Sequence, residues 1–237
     1  MSKYRITNIL VIPVLIIMIS GLPSVTNAEQ RALSDGYVNG LSTAALGGVV
    51  DNLKKDPTSG RVTFYSTSVW QNGMRAFTSF GGYSIDGNVV HEGRRFILLG
   101  DESVELSGTD SAPGAIEELM YALGTCIIAS TNANAALMGV KLNRLNVRLE
   151  SDLDIHGLFA VDAKVRPGIL NIRAEVTIGG DAAAATLEKI AMLGYQYSPV
   201  SETIRNGINF IPEIFVAQGV VVEAEPADDA GMLKVSK

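Results

Sequence analysis

The chain has 237 residues, of which 47% are apolar, and it carries 25 acidic side chains against 19 basic ones. This length suits one large domain or two very small ones, and the apolar fraction is ample for a core. The net charge of −6 argues against nucleic acid as a partner, because binding to a phosphate backbone needs a basic surface. A single cysteine excludes an internal disulfide, so stability must come from packing, with or without dimerisation.

The first residues have the order of a secretory signal peptide. Lys3 and Arg5 precede an apolar stretch from Ile9 to Ile19, and small residues follow up to Ala28. This order predicts that residues 1–28 are removed and that the mature protein is periplasmic or secreted. An uncleaved membrane anchor is the alternative, although the apolar stretch is shorter than the roughly 20 residues that span a bilayer.

The next part of the chain changes from a helical to a strand pattern. Residues 29–59 are predicted to form an N-terminal helical extension, with one helix from Leu41 to Leu53. Residues 61–99 favour strands and are interrupted by turn sequences at 71–73 and 86–88. We therefore expect a three-stranded antiparallel meander after the extension.

A long apolar helix is predicted to follow, from about residue 115 to residue 138, and it carries the only cysteine, Cys126. Asp110 and Ser111 are the candidate N-caps, since short polar side chains satisfy the free amides of a first turn. The helix is apolar on nearly every side, and this pattern is typical of a helix in the middle of a core.

Two strands with period-two alternation come next, at Leu145–Ile155 and Leu170–Ile178, and each is expected to show one face to a core and one to water. Bends rather than a tight hairpin are predicted between them. Asp181 is the expected cap of a second helix that runs to about Tyr195. The alternation of strand blocks and helices predicts an α+β architecture.

The C-terminal region is predicted to contain a short helical turn and a last strand. Ser198 precedes Pro199 and suits the cap of that turn. The last strand is expected at about Ile208–Val222, and the charged tail at residues 225–237 is expected to be disordered.

This order of elements resembles the OsmC/Ohr superfamily of thiol-dependent hydroperoxide reductases over residues 60–224. The likeness is carried by four stretches, at residues 101–110, 117–126, 153–168 and 198–200. The resemblance implies antiparallel sheets packed around the central helix that bears Cys126 and around a second helix. It also implies an intertwined homodimer.

The resemblance further implies a set of site residues. In that family a reactive cysteine on the central helix attacks a peroxide, a second cysteine before a Pro-Val pair resolves it as a disulfide, and an arginine and a glutamate stabilise the thiolate. The matching positions are Cys126 for the first thiol, Glu117 for the acid and Arg75 for the arginine. Ser198 occupies the position of the second thiol and cannot form the disulfide.

Each of these residues also has a plain structural interpretation. A free cysteine often serves as a small buried hydrophobe, a glutamate in a first turn stabilises the helix dipole, and Arg75 suits an exposed strand position. Glu117 precedes Cys126 by nine residues, which is about 13 Å along one helix, so the two cannot touch within that helix.

Two functional hypotheses follow. The first is a one-cysteine, thiol-dependent peroxidase or sensor of organic hydroperoxides that uses Cys126 and an external thiol reductant. The second is a non-catalytic relative that binds a small apolar ligand or a protein partner. Neither requires a cofactor, and no metal site is expected because His91 and His156 lack cysteine or carboxylate neighbours at ligand spacing.

Overall fold

The computed structural model describes residues 36–216 of the protein. The predicted signal peptide at residues 1–28, the tail at residues 225–237 and the end of the last predicted strand lie outside the described residues. Within residues 36–216, no helix combines the length and the apolar character that crossing a membrane would require.

The described chain begins with a small hairpin and a helix. Strands β1 (Tyr37–Val38) and β2 (Leu41–Ser42) pair antiparallel, and helix α1 (Thr43–Lys55) follows directly. Ser42 caps this helix, because its hydroxyl accepts a hydrogen bond from the Ala45 amide at 3.2 Å. The helix begins two residues later than its apolar spacing predicts.

Asn39 at the tip of this hairpin ties it to the rest of the domain. Its side-chain amide donates to the Val140 carbonyl at 2.9 Å and its side-chain oxygen accepts from the Leu142 amide at 2.8 Å. The Asn132 side chain donates to the Asn39 carbonyl at 3.2 Å. The extension is therefore hydrogen-bonded to residues about a hundred positions further along the chain.

The predicted meander forms an antiparallel sheet in which the third strand is divided. The four strands are β3 (Val62–Asn72), β4 (Arg75–Ile85), β5 (Asn88–Val90) and β6 (Phe96–Gly100). Both β5 and β6 pair with β4, on the edge opposite β3. The interruption faces Gly82, where a Cβ would lie 3.0 Å from the Val90 carbonyl oxygen and 3.1 Å from that of His91. A side chain at this position would crowd both carbonyl oxygens, so glycine suits the point where the third strand is interrupted.

The long helix α2 (Ala115–Leu137) contains Cys126, as predicted, but its cap differs from the prediction. The N-cap is Gly114, and the Glu117 carboxylate accepts a hydrogen bond from the Gly114 amide at 2.8 Å. The prediction of Asp110 or Ser111 as the cap was wrong, because both belong to the preceding loop.

One side of α2 is left open by residues 36–216. Its buried residues are Leu123, Ile127, Thr131, Ala135 and Ala136. The helix packs against β7 and the last two helices, whereas Tyr121 and Ile128, two turns apart on another side, are 65% and 37% exposed. The helix is central in the chain, but the described residues cover only part of its apolar surface.

The two alternating strands form a second antiparallel sheet, β7 (Leu142–Asp152) and β8 (Asn171–Gly180), as predicted. A one-turn helix, α3 (Ile155–Leu158), lies between them, where only bends were expected. Asp154 starts this turn by accepting a hydrogen bond from the His156 amide at 2.9 Å, which explains why the segment is helical.

The last two helices are α4 (Ala184–Gln196) and α5 (Pro199–Asn206). Ala183 is the N-cap of α4, so the prediction of Asp181 as its cap was wrong. The Asp181 carboxylate instead accepts a hydrogen bond from the Lys141 amide at 2.8 Å and joins the end of β8 to the start of β7. The prediction that Ser198 caps the next helix is confirmed, since its hydroxyl accepts from the Ser201 amide at 3.2 Å.

The prediction of a last strand is wrong for residues 208–216, the part of it that the structure describes. Residues 208–216 form no strand, and Phe210 and Phe215 are 80% and 89% exposed. A strand needs a hydrogen-bonded neighbour, and this segment has none among residues 36–216. Pro212 also removes one of its donors.

Candidate functional site

Cys126 lies in the interior of α2 at the border of its buried side. The thiol is free and the residue is partly exposed, while the adjacent Ile127 is 1% exposed. Cys126 is therefore not fully buried in the core, and its exposed part is accessible to a small molecule. No other thiol exists in the chain.

Glu117 lies in the first turn of the same helix and its carboxylate serves as part of the cap. The hydrogen bond from the Gly114 amide holds that carboxylate at the helix N-terminus. Because α2 is one continuous helix from Ala115 to Leu137, the separation of nine positions between Glu117 and Cys126 corresponds to about 13 Å of rise. The two side chains do not meet within one chain.

Arg75 is the exposed first residue of β4 and lies at the same end of the N-terminal sheet as the start of α2. The next residue, Ala76, pairs with Gly100 at the end of β6. A Cβ on Gly100 would lie 3.7 Å from a carboxylate oxygen of Glu118 and 3.9 Å from the Pro113 carbonyl. The fold thus brings Arg75 and the first turn of α2 to one region, but leaves Cys126 more than two turns away.

An apolar groove lies in that region and is called the β6 groove here. It has a volume of about 630 Å³ between β6 and the start of α2. Its lining includes Ile97, Leu99, Pro113, Glu117, Glu118 and Tyr121. Cys126 does not line it.

A second apolar groove, the β8 groove, reaches Ile127, the residue that follows Cys126, but Cys126 itself does not line it. It has a volume of about 680 Å³ and is bounded by β8, α4 and Ile127 of α2. Its apolar lining includes Ile172, Val176, Ile178, Leu187, Met192 and Tyr195, and Glu188 is the acidic residue among its lining. A smaller cavity of about 110 Å³ continues from Ile127 and Tyr195 toward Ser201 and Arg205.

Ser198 is completely buried at the start of α5. Its hydroxyl accepts a hydrogen bond from the Ser201 amide. The side chain therefore caps a helix at the position where the resemblance would place a second thiol. A hydroxyl cannot form a disulfide with Cys126.

Asp101 organises the loop before α2, and the sequence analysis assigned it no role. The residue is 2% exposed, and one of its carboxylate oxygens accepts hydrogen bonds from the hydroxyl and amide of Thr109 and of Ser111. The bond from the Thr109 hydroxyl, followed by those from the Ser111 amide and hydroxyl, holds the pKa of Asp101 far below its usual value. An Asp followed by a cluster of Thr and Ser was the available signal.

The two histidines lie in different places. His156 is bonded through Nδ1 to the Asp154 carboxylate at 2.8 Å, and the His91 ring lies 5.8 Å from that of Tyr83. Among residues 36–216, no three His, Cys, Asp or Glu side chains are grouped so that they could hold a metal ion.

Comparison with known proteins points to one family. Residues 108–213 match the family model described as OsmC-like protein. No curated protein matches the chain. An OsmC-like protein from Mycoplasma pneumoniae is 13% identical, with a TM-score of 0.45 over 61% of this chain and 88% of that one. An organic hydroperoxide resistance protein OsmC from Legionella pneumophila is 14% identical, with a TM-score of 0.44 over 61% of this chain and 90% of that one.

Proposed function

We propose that this chain, whose residues 108–213 form an OsmC-like domain, is an exported protein that reduces or senses organic hydroperoxides through Cys126. The observation that carries the proposal is the free, partly exposed thiol beside Ile127, which lines an apolar groove of about 680 Å³. An apolar groove that reaches the neighbour of the thiol-bearing residue suits an organic hydroperoxide better than hydrogen peroxide, because burial of the organic group favours binding.

The reaction needs one thiol for its first half. The Cys126 thiolate attacks one peroxide oxygen, the O–O bond breaks, and the organic product leaves as an alcohol after taking a proton, so that Cys126 becomes a sulfenic acid. With Ser198 in place of a second thiol, an external thiol must then attack the sulfenic acid, which releases water and forms a mixed disulfide. A second external thiol restores Cys126.

The proposed roles of Arg75 and Glu117 require a second copy of the chain. Both residues lie near the start of α2 and far from Cys126 of the same chain, so a partner subunit would have to supply them to the thiol. The open side of α2 supports such an arrangement, since Tyr121 and Ile128 leave apolar surface uncovered by residues 36–216. We therefore propose a homodimer with sites between the subunits.

A non-catalytic role is the second candidate. The β8 groove is lined almost entirely by apolar side chains, and such a groove binds a small apolar ligand without any reaction at the thiol. Native mass spectrometry of protein purified under mild conditions would detect such a ligand, and loss of that ligand in Met192→Glu would assign it to this groove.

Trapping of the sulfenic acid tests the first candidate. The protein is exposed briefly to cumene hydroperoxide, then to dimedone, and the adduct is located by mass spectrometry. Cys126→Ser is the control that must give no adduct, and the urea-unfolded protein gives the reference rate for an ordinary thiol. An adduct formed much faster in the folded protein supports the proposal, whereas a rate no higher than in the unfolded protein rejects it.

Export is proposed from residues 1–28 alone. Intact-mass measurement of protein recovered from the cell envelope and from the medium gives the residue at which the mature chain begins. A chain that starts after Ala28 supports cleavage, and a chain that retains Ile9–Ile19 in the membrane fraction supports an anchor.

A further inference from the structure

The β8 groove has a basic side chain at one end. The smaller cavity of about 110 Å³ shares Ile127, Ile172 and Tyr195 with the groove, and Arg205 of α5 lines it. Arg205 is the basic residue among the residues that line the two cavities. The groove and the smaller cavity together, called the extended groove here, therefore join a long apolar part to one guanidinium group.

The Arg205 guanidinium is held in place without an acidic partner. Its Nη2 donates to the Gln196 carbonyl at 3.3 Å, and its Cζ lies 4.8 Å from the centroid of the Tyr195 ring. Among residues 36–216, no carboxylate forms a salt bridge with it. A guanidinium carries several N–H donors in a fixed fork, so Arg205 can still bind an anionic group.

The extended groove is elongated, and its charged end is well separated from its acidic residue. From Ala184 to Tyr195 the groove follows α4 for about 16 Å, and from Ile178 to Ile172 it follows β8 for about 20 Å. Glu188 lies about 10 Å before Tyr195 along α4. Exposed charges are screened beyond about 8 Å at physiological salt, so Glu188 does not cancel the charge at the Arg205 end.

The extended groove and the open side of α2 lie on different sides of that helix. Ile127 lines the groove and is 1% exposed, whereas Tyr121 and Ile128 mark the open side. At 3.6 residues per turn, Ile127 is rotated by roughly 100° from Ile128 and by roughly 120° from Tyr121. A partner subunit on the open side of α2 therefore does not by itself close the groove.

We propose that the extended groove binds a long-chain carboxylate, with the carboxylate on Arg205 and the alkyl chain between β8 and α4. The guanidinium fork matches the two oxygens of a carboxylate, and burial of an alkyl chain against aliphatic side chains favours binding. A compact ligand would leave the end near Ala184 empty. The inference rests on the β8 groove being the ligand site of the proposed function, and it is independent of any reaction at Cys126.

Isothermal titration calorimetry on the full chain with Cys126→Ser tests the proposal, because this variant separates binding from reaction. The probes are octanoate, dodecanoate and dodecanol, each below the concentration at which it forms micelles. Dodecanoate should bind more tightly than octanoate, by about two- to four-fold for each additional methylene group that is buried. It should also bind roughly ten-fold more tightly than dodecanol, because only the carboxylate forms a charge-assisted hydrogen bond with Arg205.

Variants locate the two ends of the ligand. Arg205→Gln should weaken dodecanoate binding roughly ten-fold and leave dodecanol binding unchanged, which also shows that the groove is still folded. Ala184→Phe should weaken the binding of dodecanoate more than that of octanoate, since it fills the far end of the groove. Arg148→Gln is the control and should bind as the parent does. Arg148 pairs with Glu175, on the opposite face of the sheet from the even-numbered β8 residues that line the groove.

Several outcomes would overturn the carboxylate site. They are absence of dodecanoate binding, equal affinity for dodecanoate and dodecanol in the parent, a full preference for dodecanoate in Arg205→Gln, and an equal loss of affinity in Arg148→Gln. Intact dodecanoate binding in a chain whose native Cys126 gives no sulfenic acid would reject the hydroperoxide reaction and support the carboxylate site. The failure of one proposal is thereby distinguished from the failure of the other.

Discussion

Gly194 of α4 lies directly against Thr131 of α2: a Cβ at Gly194 would lie 2.8 Å from the Cα of Thr131. Thr131 is completely buried, so the two helices cannot separate without opening the core beside it. Glycine at this position sets the distance between the helix that bears Cys126 and its principal partner.

Replacement of Gly194 by alanine should therefore destabilise the protein. The added methyl group meets backbone as well as side-chain atoms, and overpacking of this kind costs about 1 to 3 kcal/mol. Urea denaturation measures the change in free energy of unfolding. Gly48→Ala in α1 is the control, because no atom lies within 4 Å of its added Cβ, and it should be neutral or stabilising. Equal effects of the two substitutions would show that the close contact does not limit packing.

Stability should fall in acid through Asp101. Hydrogen bonds lower the pKa of its carboxyl group in the folded chain, so the ionised form stabilises the fold at pH values above the unfolded-state pKa of about 3.9. That contribution is lost as the pH falls from this value toward the lower pKa of the folded state. Urea denaturation from pH 6 to pH 2.5 should show Asp101→Asn less stable than the parent at pH 6, with a difference that narrows in acid. A difference that stays constant with pH would contradict the assignment.

Two substitutions at Glu117 should separate its structural role from its proposed chemical role. Glutamine keeps the acceptor for the Gly114 amide, since Glu and Gln both serve in a capping box, but it removes the charge. Glu117→Gln should therefore keep the stability of the parent and slow the trapping of Cys126, whereas Glu117→Ala should also lose about 0.5 to 2 kcal/mol of stability. Glu118→Gln is the control. If the sulfenic acid of Cys126 is trapped at the parent rate in Glu117→Gln, then Glu117 serves only in the helix cap.

Restoring the second thiol by Ser198→Cys should change the fate of oxidised Cys126. Helix α5, which Ser198 caps, packs against α2, and the resemblance places a resolving thiol there. After hydroperoxide treatment we expect an intramolecular disulfide, seen as a loss of two hydrogens by mass spectrometry, and little dimedone adduct. The loss of the cap should cost about 1 kcal/mol. A variant that still gives the full adduct and no disulfide would show that position 198 cannot reach the thiol.

The sequence alone determined those features that depend on neighbours close in the chain. The period-two alternation of β7 and β8, the long apolar helix around Cys126 and the cap at Ser198 all follow from side chains a few residues apart, because strand faces and helix turns repeat at that distance. The pattern around these elements was also enough to identify the family resemblance that the match over residues 108–213 supports.

Only the tertiary structure decided the features that depend on distant partners. Asp181 looks like a helix cap in the sequence, but its carboxylate accepts from Lys141, forty residues earlier, and Asp101 is fixed by a loop that folds back on it. Residues 208–216 have the composition of a strand yet find no neighbouring strand in the described chain. A polar side chain takes the partner that the fold brings to it, and a strand exists only beside another strand. Neither condition can be seen from local sequence.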